Sequence, residues 1–209
     1  MKKLFIEAKD KKNIIPIVKK AVKLLKGKIG LVSTIQHSYQ LEKAKDFLEK
    51  NNIKAVVGGN ILGCNAGNAV KIKNKVDMFL YVGSGEFHPI QIALETEKKV
   101  IIANPLSGKV NELDKSEITK IKQRRKGALL RFLSSKNIGI LVSLKSGQNR
   151  LNDAFELKKK LKEKNCYIFA ADTLDLNQLE NFPFVEAWVN TACPRIVDDK
   201  KGIVNIDEI

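Results

Sequence analysis

The chain has 209 residues, of which 44% are hydrophobic and 29% charged, and its formal net charge is +15. This composition excludes a disordered chain and suffices for one large domain or two small ones. No apolar run reaches the roughly 18–20 residues that span a bilayer, and no stretch of about 7 apolar residues follows the N-terminal lysines as in a signal peptide. We therefore expect a cytoplasmic protein that does not enter a membrane.

The first part of the chain alternates short apolar runs with amphipathic segments. The apolar runs predict strands, and the segments with apolar residues at helical spacing predict helices. In chain order these are a helix at 14–26, a strand at 29–34, a helix at 39–51, strands at 54–59 and 76–83, a helix at 89–96 and a strand at 99–105.

A long helix over about 115–135 follows, with Ser116 as its predicted cap, and a second cycle of strands and helices then begins. Its predicted elements are a strand at 137–144, a turn at 146–150, a helix at 151–164, a strand at 166–172, a short helix at 175–182 and a strand at 184–192. The alternation predicts an α/β protein of two small Rossmann-like domains, residues 1–125 and 126–209, each with a parallel sheet flanked by helices.

Polar and reactive residues follow the predicted strands. In the first domain His37 comes after the first strand, Cys64 after the second and the run GSGEFH, which ends at His88, after the third. In the second domain the turn Ser146-Gly147-Gln148 and the run Cys193-Pro194-Arg195 follow strands. Because ligands of open α/β sheets bind at the carboxyl ends of the strands, these residues form the candidate site.

The three cysteines are an odd number without CxxC spacing, so they predict neither a disulfide framework nor a local zinc site. Cys64 and Cys193 both lie at carboxyl ends of strands, which favours soft-metal ligation, either zinc or an iron–sulfur cluster, over simple packing. Arg195 is expected to favour the thiolate form of Cys193. Cys166 begins its strand and is expected to be an apolar filler.

The two histidines leave alternatives open. His37 and His88 could bind a metal or a substrate, or be loop side chains satisfied by backbone carbonyls. GSGEF alone is weak evidence for a phosphate-binding turn. The positive charge comes mostly from lysines scattered over helix faces, so nucleic-acid binding is the weaker alternative.

Five pieces of the sequence resemble the diphthamide synthases, the 2-(3-amino-3-carboxypropyl)histidine synthases of archaea and eukaryotes. They are IGLVSTIQH (29–37), GGNILGCN (58–65), YVGSGEFHP (81–89), SGQ (146–148) and VNTACPRIVDD (189–199), in the family's order. The resemblance extends over nearly the whole chain from about residue 5, and the second and last pieces carry it most specifically.

The resemblance implies an enzyme of three related α/β domains, each of which gives one cysteine to a single 4Fe–4S cluster. The cluster binds S-adenosylmethionine, from which a 3-amino-3-carboxypropyl radical is released and added to a histidine of translation elongation factor 2. Cys64 and Cys193 match the ligands of the middle and last domains. Ser146, Gly147, Gln148 and Arg195, with His37 and His88, are then expected around S-adenosylmethionine.

The chain departs from the family pattern in one large respect. The first domain and its cysteine are absent, and residues 1–15 resemble only the tail of that domain. A partner chain, a second copy or a histidine would have to complete the cluster. Three interpretations remain: an active or partner-completed radical transferase, a shortened non-catalytic paralogue or subunit that binds a metal or cluster through two cysteines, and, more weakly, a nucleic-acid-binding module.

Overall fold

The computed structural model describes residues 8–62, 65–199 and 202–209. The chain divides into two compact units, Met1–Ile118 and Thr119–Ile209. The division lies inside a helix that begins at Lys115, whereas the sequence analysis placed the boundary a little later, at residue 125. Each unit has its own sheet and its own buried core.

The sheet of the first unit has five strands in the order β2-β1-β3-β4-β5. The strands are β1 Ile29–Ser33, β2 Ala55–Asn60, β3 Met78–Val82, β4 Lys99–Asn104 and β5 Lys109–Glu112. The first four are parallel, as predicted, and β5 returns antiparallel to β4 through a turn at 105–108. The central strands β1 and β3 are buried along their whole length, which explains their continuous apolar sequences.

Helices cover both faces of this sheet. They are α1 Ile15–Ala21, α2 Leu41–Lys50, α3 Gly67–Ile72 and α4 Phe87–Thr96. The side chains of α1 and α2 pack with Leu31 and Leu80 in one core, and those of α3 and α4 pack with Val32 and Phe79 in the other. The helix predicted at 14–26 is shorter, because a 3-10 turn at Val22–Leu24 ends it.

The second unit has a smaller, wholly parallel sheet in the order β7-β6-β8-β9. Its strands are β6 Asn137–Ser143, β7 Asn165–Ala171, β8 Ala187–Asn190 and β9 Ile203–Asn205. Its helices are α5 Lys115–Ser134, which begins before the unit boundary, α6 Leu151–Lys160 and α7 Ile196–Asp199. Within the described residues no helix is long and apolar enough to cross a membrane.

The start of α5 corrects one expectation. Ser116 lies inside the helix, and Asp114 acts at its entrance: the Asp114 carboxylate accepts from the Ser116 backbone N–H at 2.7 Å and from the Ser116 hydroxyl at 2.6 Å. A carboxylate at this position satisfies a backbone donor that has no partner within the helix and also interacts favourably with the helix dipole.

Candidate functional site

Cys193 lies in the loop that leaves the carboxyl end of β8. Its thiol is not in a disulfide, and the residue is half-buried. Its carbonyl accepts from the Ile196 backbone N–H at 3.0 Å, which closes a turn through Pro194 into α7. The loop therefore presents a cysteine at the ligand-binding edge of the sheet, as the sequence predicted.

Two buried side chains at the end of β8 hold the start of this loop. The Thr191 hydroxyl and backbone N–H both donate to the Leu141 carbonyl, at 2.8 and 3.0 Å. The Asn190 amide donates to the Cys193 carbonyl at 2.9 Å and to Asn205 Oδ1 at 2.8 Å, while its oxygen accepts from the Ala192 N–H at 3.0 Å. The backbone on both sides of the cysteine is thereby restrained.

Cys166 occupies a different environment. It is the second residue of β7, only 7% exposed, and it packs in the core of the second unit with Ile138 and Ala187. Burial raises the pKa of its thiol, against the opposing effect of Lys158 and Lys164. A soft metal needs a thiolate that it can reach, so the buried Cys166 is less suited to ligation than the half-buried Cys193, whose role as a ligand stays a prediction.

The turn Ser146-Gly147-Gln148 follows β6 and is exposed. The Gln148 backbone N–H donates to the Lys145 carbonyl at 3.0 Å, and Gly147 has a φ of +87° with open space where a side chain would stand. The turn thus has the glycine that its backbone requires, and its side chains face solvent at the carboxyl edge of the sheet.

Arg150, at the entrance to α6, follows that turn and has a structural role that its sequence did not predict. Its guanidinium donates to both carboxylate oxygens of Asp207 at 2.8 and 2.9 Å and to Asp153 at 2.5 Å. The hydrogen bond from Arg150 lowers the pKa of Asp207. The fork ties the start of α6 to the C-terminal segment.

Arg195 is exposed, two residues beyond Cys193. Its predicted influence on the cysteine remains a prediction.

His37 is more enclosed than a loop histidine was expected to be. It is 4% exposed, and its Nδ1 has no hydrogen-bond partner among the described residues. Its Nε2 lies 3.9 Å from the Asp10 carboxylate. Burial lowers the pKa of His37, which outweighs the raising effect of Asp10, while Lys12 lowers it further. Burial thus favours the neutral form of this imidazole, which follows the carboxyl end of β1.

His88 is half-buried at the start of α4. Its ring stacks on Tyr81, and its Nδ1 lies 3.3 Å from the Tyr81 hydroxyl, which donates to the Ser84 carbonyl at 3.2 Å. A side chain at Gly83 would approach that hydroxyl to 2.6 Å, so this position requires glycine. Burial lowers the pKa of His88 and raises that of Tyr81.

Cys64 lies outside the described residues, so its predicted role as a ligand is not addressed by the geometry. On either side of it, Leu62 bridges to Asn65, and Asn65 Oδ1 accepts from the Gly67 N–H at 2.7 Å. Within the described part of the chain no three His, Cys, Asp or Glu side chains meet as a metal site.

Asn190 and Asn205 are the site residues that sequence reasoning missed. Both are buried polar side chains, and Asn190 stands inside the quoted run VNTACPRI. The sequence offers one signal for them, a polar residue at the end of an apolar strand. If such an amide is buried, it must have hydrogen-bond partners and therefore a structural role.

Comparison with known proteins shows a single family. The model of the diphthamide synthesis protein family matches residues 1–202. The 2-(3-amino-3-carboxypropyl)histidine synthase of Pyrococcus horikoshii is 32% identical over 213 residues, covering 95% of this chain and 60% of the relative. The same enzyme of Methanocaldococcus jannaschii is 34% identical over 176 residues, covering 82% of this chain and 46% of the relative.

A solved structure has the same fold. The structure of Dph2 from Pyrococcus horikoshii with a 4Fe–4S cluster superposes with a TM-score of 0.80 at 30% identity, over 96% of this chain and 62% of that one. The chain therefore spans about 60% of the length of these Pyrococcus relatives.

Proposed function

Since the chain belongs to the diphthamide synthesis family, we propose that it takes part in diphthamide synthesis as a 3-amino-3-carboxypropyl transferase. The proposed donor is S-adenosylmethionine, and the proposed acceptor is a histidine of translation elongation factor 2 in the cytoplasm. The observation that carries the proposal is the half-buried, restrained Cys193 at the edge of a fold that Dph2 shares, since the Dph2 structure contains a 4Fe–4S cluster.

Cys193 and Cys64 are the proposed cluster ligands. Cys193 is half-buried in the loop after β8, and Cys64 follows β2 in the piece GGNILGCN. When bound, a 4Fe–4S cluster supplies the site at which S-adenosylmethionine is held and its C–S bond is cleaved. Two thiolates leave such a cluster short of cysteine ligands, so a second copy or a partner chain is proposed to supply the remaining one.

The other site residues are assigned to S-adenosylmethionine. Ser146, Gly147 and Gln148 form an exposed turn whose polar side chains suit the amino-acid end of this ligand. Arg195, close to Cys193, is suited to its carboxylate. His37 and His88 are proposed to contact S-adenosylmethionine as well; His88 is half-buried against Tyr81, and His37 is buried.

Anaerobic reconstitution with iron and sulfide tests the ligand assignment. Optical and paramagnetic spectra of the unaltered chain should show an iron–sulfur signal that Cys64→Ala and Cys193→Ala each abolish. Cys166→Ala is the matched control and should retain the signal, because this thiol lies in the core. Equal behaviour of the three variants would overturn the assignment.

A transfer assay tests the reaction. The reconstituted chain, alone and with a cell extract that supplies partner chains, is reduced with dithionite without oxygen and incubated with elongation factor 2 and S-adenosylmethionine labelled in the carboxypropyl group. Label on the factor that depends on Cys193 supports the transferase. A cluster without transfer in either mixture would favour the alternative, a non-catalytic subunit that binds the cluster.

A further inference from the structure

The Asn190 side chain uses its hydrogen-bonding capacity almost completely. It is 1% exposed, and its two amide hydrogens go to the Cys193 carbonyl and to Asn205 Oδ1, at 2.9 and 2.8 Å. Its oxygen accepts from the Ala192 N–H at 3.0 Å. Three good hydrogen bonds at a buried amide make this contact a specific restraint rather than a loose filling of space.

Only one orientation of the Asn190 amide is compatible with these partners. The flipped amide would face an N–H with its own N–H and would place its oxygen against the Cys193 carbonyl, another acceptor. Asn205, itself 5% exposed, braces the arrangement from β9, and its amide lies 3.5 Å from the Pro194 carbonyl. The loop around the cysteine is therefore connected to two strands of the sheet.

The restraint acts on the backbone of Cys193 itself. The same carbonyl that receives the Asn190 amide also receives the Ile196 N–H at 3.0 Å. With its carbonyl fixed by two donors and followed by Pro194, whose φ is locked, the residue has little freedom in its backbone. The direction of the Cα–Cβ bond, and with it the reach of the thiol, is then set by the loop.

We propose that Asn190 is a positioning residue for the site: through the Cys193 carbonyl, and braced by Asn205, it holds the Cys193 thiol in the orientation that ligation requires. The role of the thiol as a ligand rests on the proposed function, whereas the restraint on the loop does not. Asn190 itself touches neither cluster nor substrate in this proposal.

The first test needs no cluster. The metal-free chain is alkylated with iodoacetamide, and the rate at each cysteine is followed by digestion and mass spectrometry. Asn190→Ala should raise the rate at Cys193 about tenfold, because the lost hydrogen bonds release the loop. Cys166 is the internal control: its rate should not change, since it reports opening of the core.

The second test measures the cluster. After anaerobic reconstitution, Asn190→Ala should lose iron to a chelator about 10- to 100-fold faster than the unaltered chain, as is usual when a residue that supports a metal ligand is removed. Asn190→Asp keeps an acceptor for the Ala192 N–H but loses both donated bonds, so it should behave like the alanine variant. Ser135→Ala is the matched control, since it removes another buried hydrogen bond of the same unit, to the Arg131 carbonyl at 2.7 Å, and should retain iron normally.

Each outcome decides something. Unchanged alkylation of Cys193 in a folded Asn190→Ala variant overturns the proposal. Should that variant not fold, Asn205→Ala, which removes the brace and leaves Asn190 two bonds, must still speed alkylation at Cys193, and no change there overturns the proposal as well. Faster alkylation in a chain that forms no cluster, either alone or together with partner chains, would support the restraint while overturning the proposed function.

Discussion

The two sheets of the molecule repeat one arrangement of strands. The order β2-β1-β3-β4 in the first unit corresponds to β7-β6-β8-β9 in the second, so each unit places its first strand beside its second and third. The first unit then adds the antiparallel strand β5, whereas the second unit follows β9 with a 3-10 turn at Ile206–Glu208. The shared part is the scaffold, and the additions are at its edges.

One detail of packing is also repeated. In the first unit Gly30 of β1 is in register with Phe79 of β3, and in the second unit Gly139 of β6 is in register with Trp188 of β8. A side chain at either glycine would meet the aromatic ring of its partner. Each unit therefore uses a glycine in its first strand to accommodate a large ring from its third.

The units differ where their third strands end. The loop after β3 contains Gly83 and leads into a helix of ten residues, whose second residue, His88, stacks on Tyr81. The loop after β8 presents Cys193, held by Asn190, and leads to a helix of four residues. The same scaffold thus carries an imidazole in one unit and a thiol in the other, because the segments that follow the third strands differ.

The largest effect is expected from replacing Cys193 or His88, the reactive side chains that follow β8 and β3, with alanine. Cys193→Ala should abolish the iron–sulfur signal of the reconstituted chain, whereas His88→Ala should retain it and weaken binding of S-adenosylmethionine, measured by calorimetry. The reason is that only the thiol is a soft, anionic ligand. Loss of the cluster in the histidine variant would contradict this difference between the units, since His88 would then be needed for the metal as well.

The glycine–aromatic pairs give the next largest effect. Gly139→Ala and Gly30→Ala should each lower the free energy of unfolding by about 1–3 kcal/mol, because the new methyl group overpacks against a ring. At Gly30 that methyl would lie 2.6 Å from Phe79. Urea unfolding followed by circular dichroism measures both changes.

Gly127 is the matched control for these variants. It lies within α5 with open space where a methyl group would stand, so Gly127→Ala should stabilise by about 0.5–1 kcal/mol. An equal loss of stability at Gly30 and Gly127 would show that the ring contact is not the cause.

The sequence predicted the repeated scaffold better than its edges. The buried strands are continuous apolar runs such as IGLVS and MFLYV, and the parallel α/β fold followed from their alternation with helices. The strands β5, KVNE, and β9, IVN, were not predicted, since one is mostly polar and the other has three residues. Helix α3, with six residues and a glycine at its start, carried too short a pattern to recognise.

The residues of the candidate site were inferred from the sequence and stay predictions, whereas the side chains that support them were not predicted. The family, inferred from pieces such as GGNILGCN and VNTACPRI, is confirmed. The bond between Asn190 and Asn205 joins residues 15 positions apart on different strands, and that between Arg150 and Asp207 joins residues 57 apart. Such pairs form only in the folded chain, so no local sequence pattern predicts them. The burial of His37 was missed for the same reason.

A smaller effect on stability is expected when the pH is lowered. Both histidines of the chain are in the first unit, and burial lowers the pKa of each below the ordinary value of 6.5. The folded state therefore keeps them neutral while the unfolded state takes up protons, so their contribution to stability is present above pH 6.5 and is lost as the pH falls through their folded pKa values.

Thermal unfolding at about pH 7.5 and about pH 5.5 measures this difference. On acidification the melting temperature of the unaltered chain should fall further than that of a His37→Gln, His88→Gln double variant. Comparing the two chains also subtracts the effect of titrating carboxylates. The fluorescence of Trp188, the single tryptophan, follows the second unit and serves as an internal reference, because that unit contains neither histidine. Equal acid sensitivity with and without the histidines would contradict the assignment.

The smallest effect is expected from weakening the ion pair between Arg150 and Asp207. Arg150→Lys exchanges a guanidinium that holds both oxygens of Asp207 for an ammonium that cannot bind them as a fork. Because the pair is largely exposed, the loss of unfolding free energy should be only about 0.2–1 kcal/mol and should nearly vanish in roughly 1 M salt. A stability loss that persists in salt would instead mean that packing of the arginine stem, rather than its charge, closes this edge of the unit.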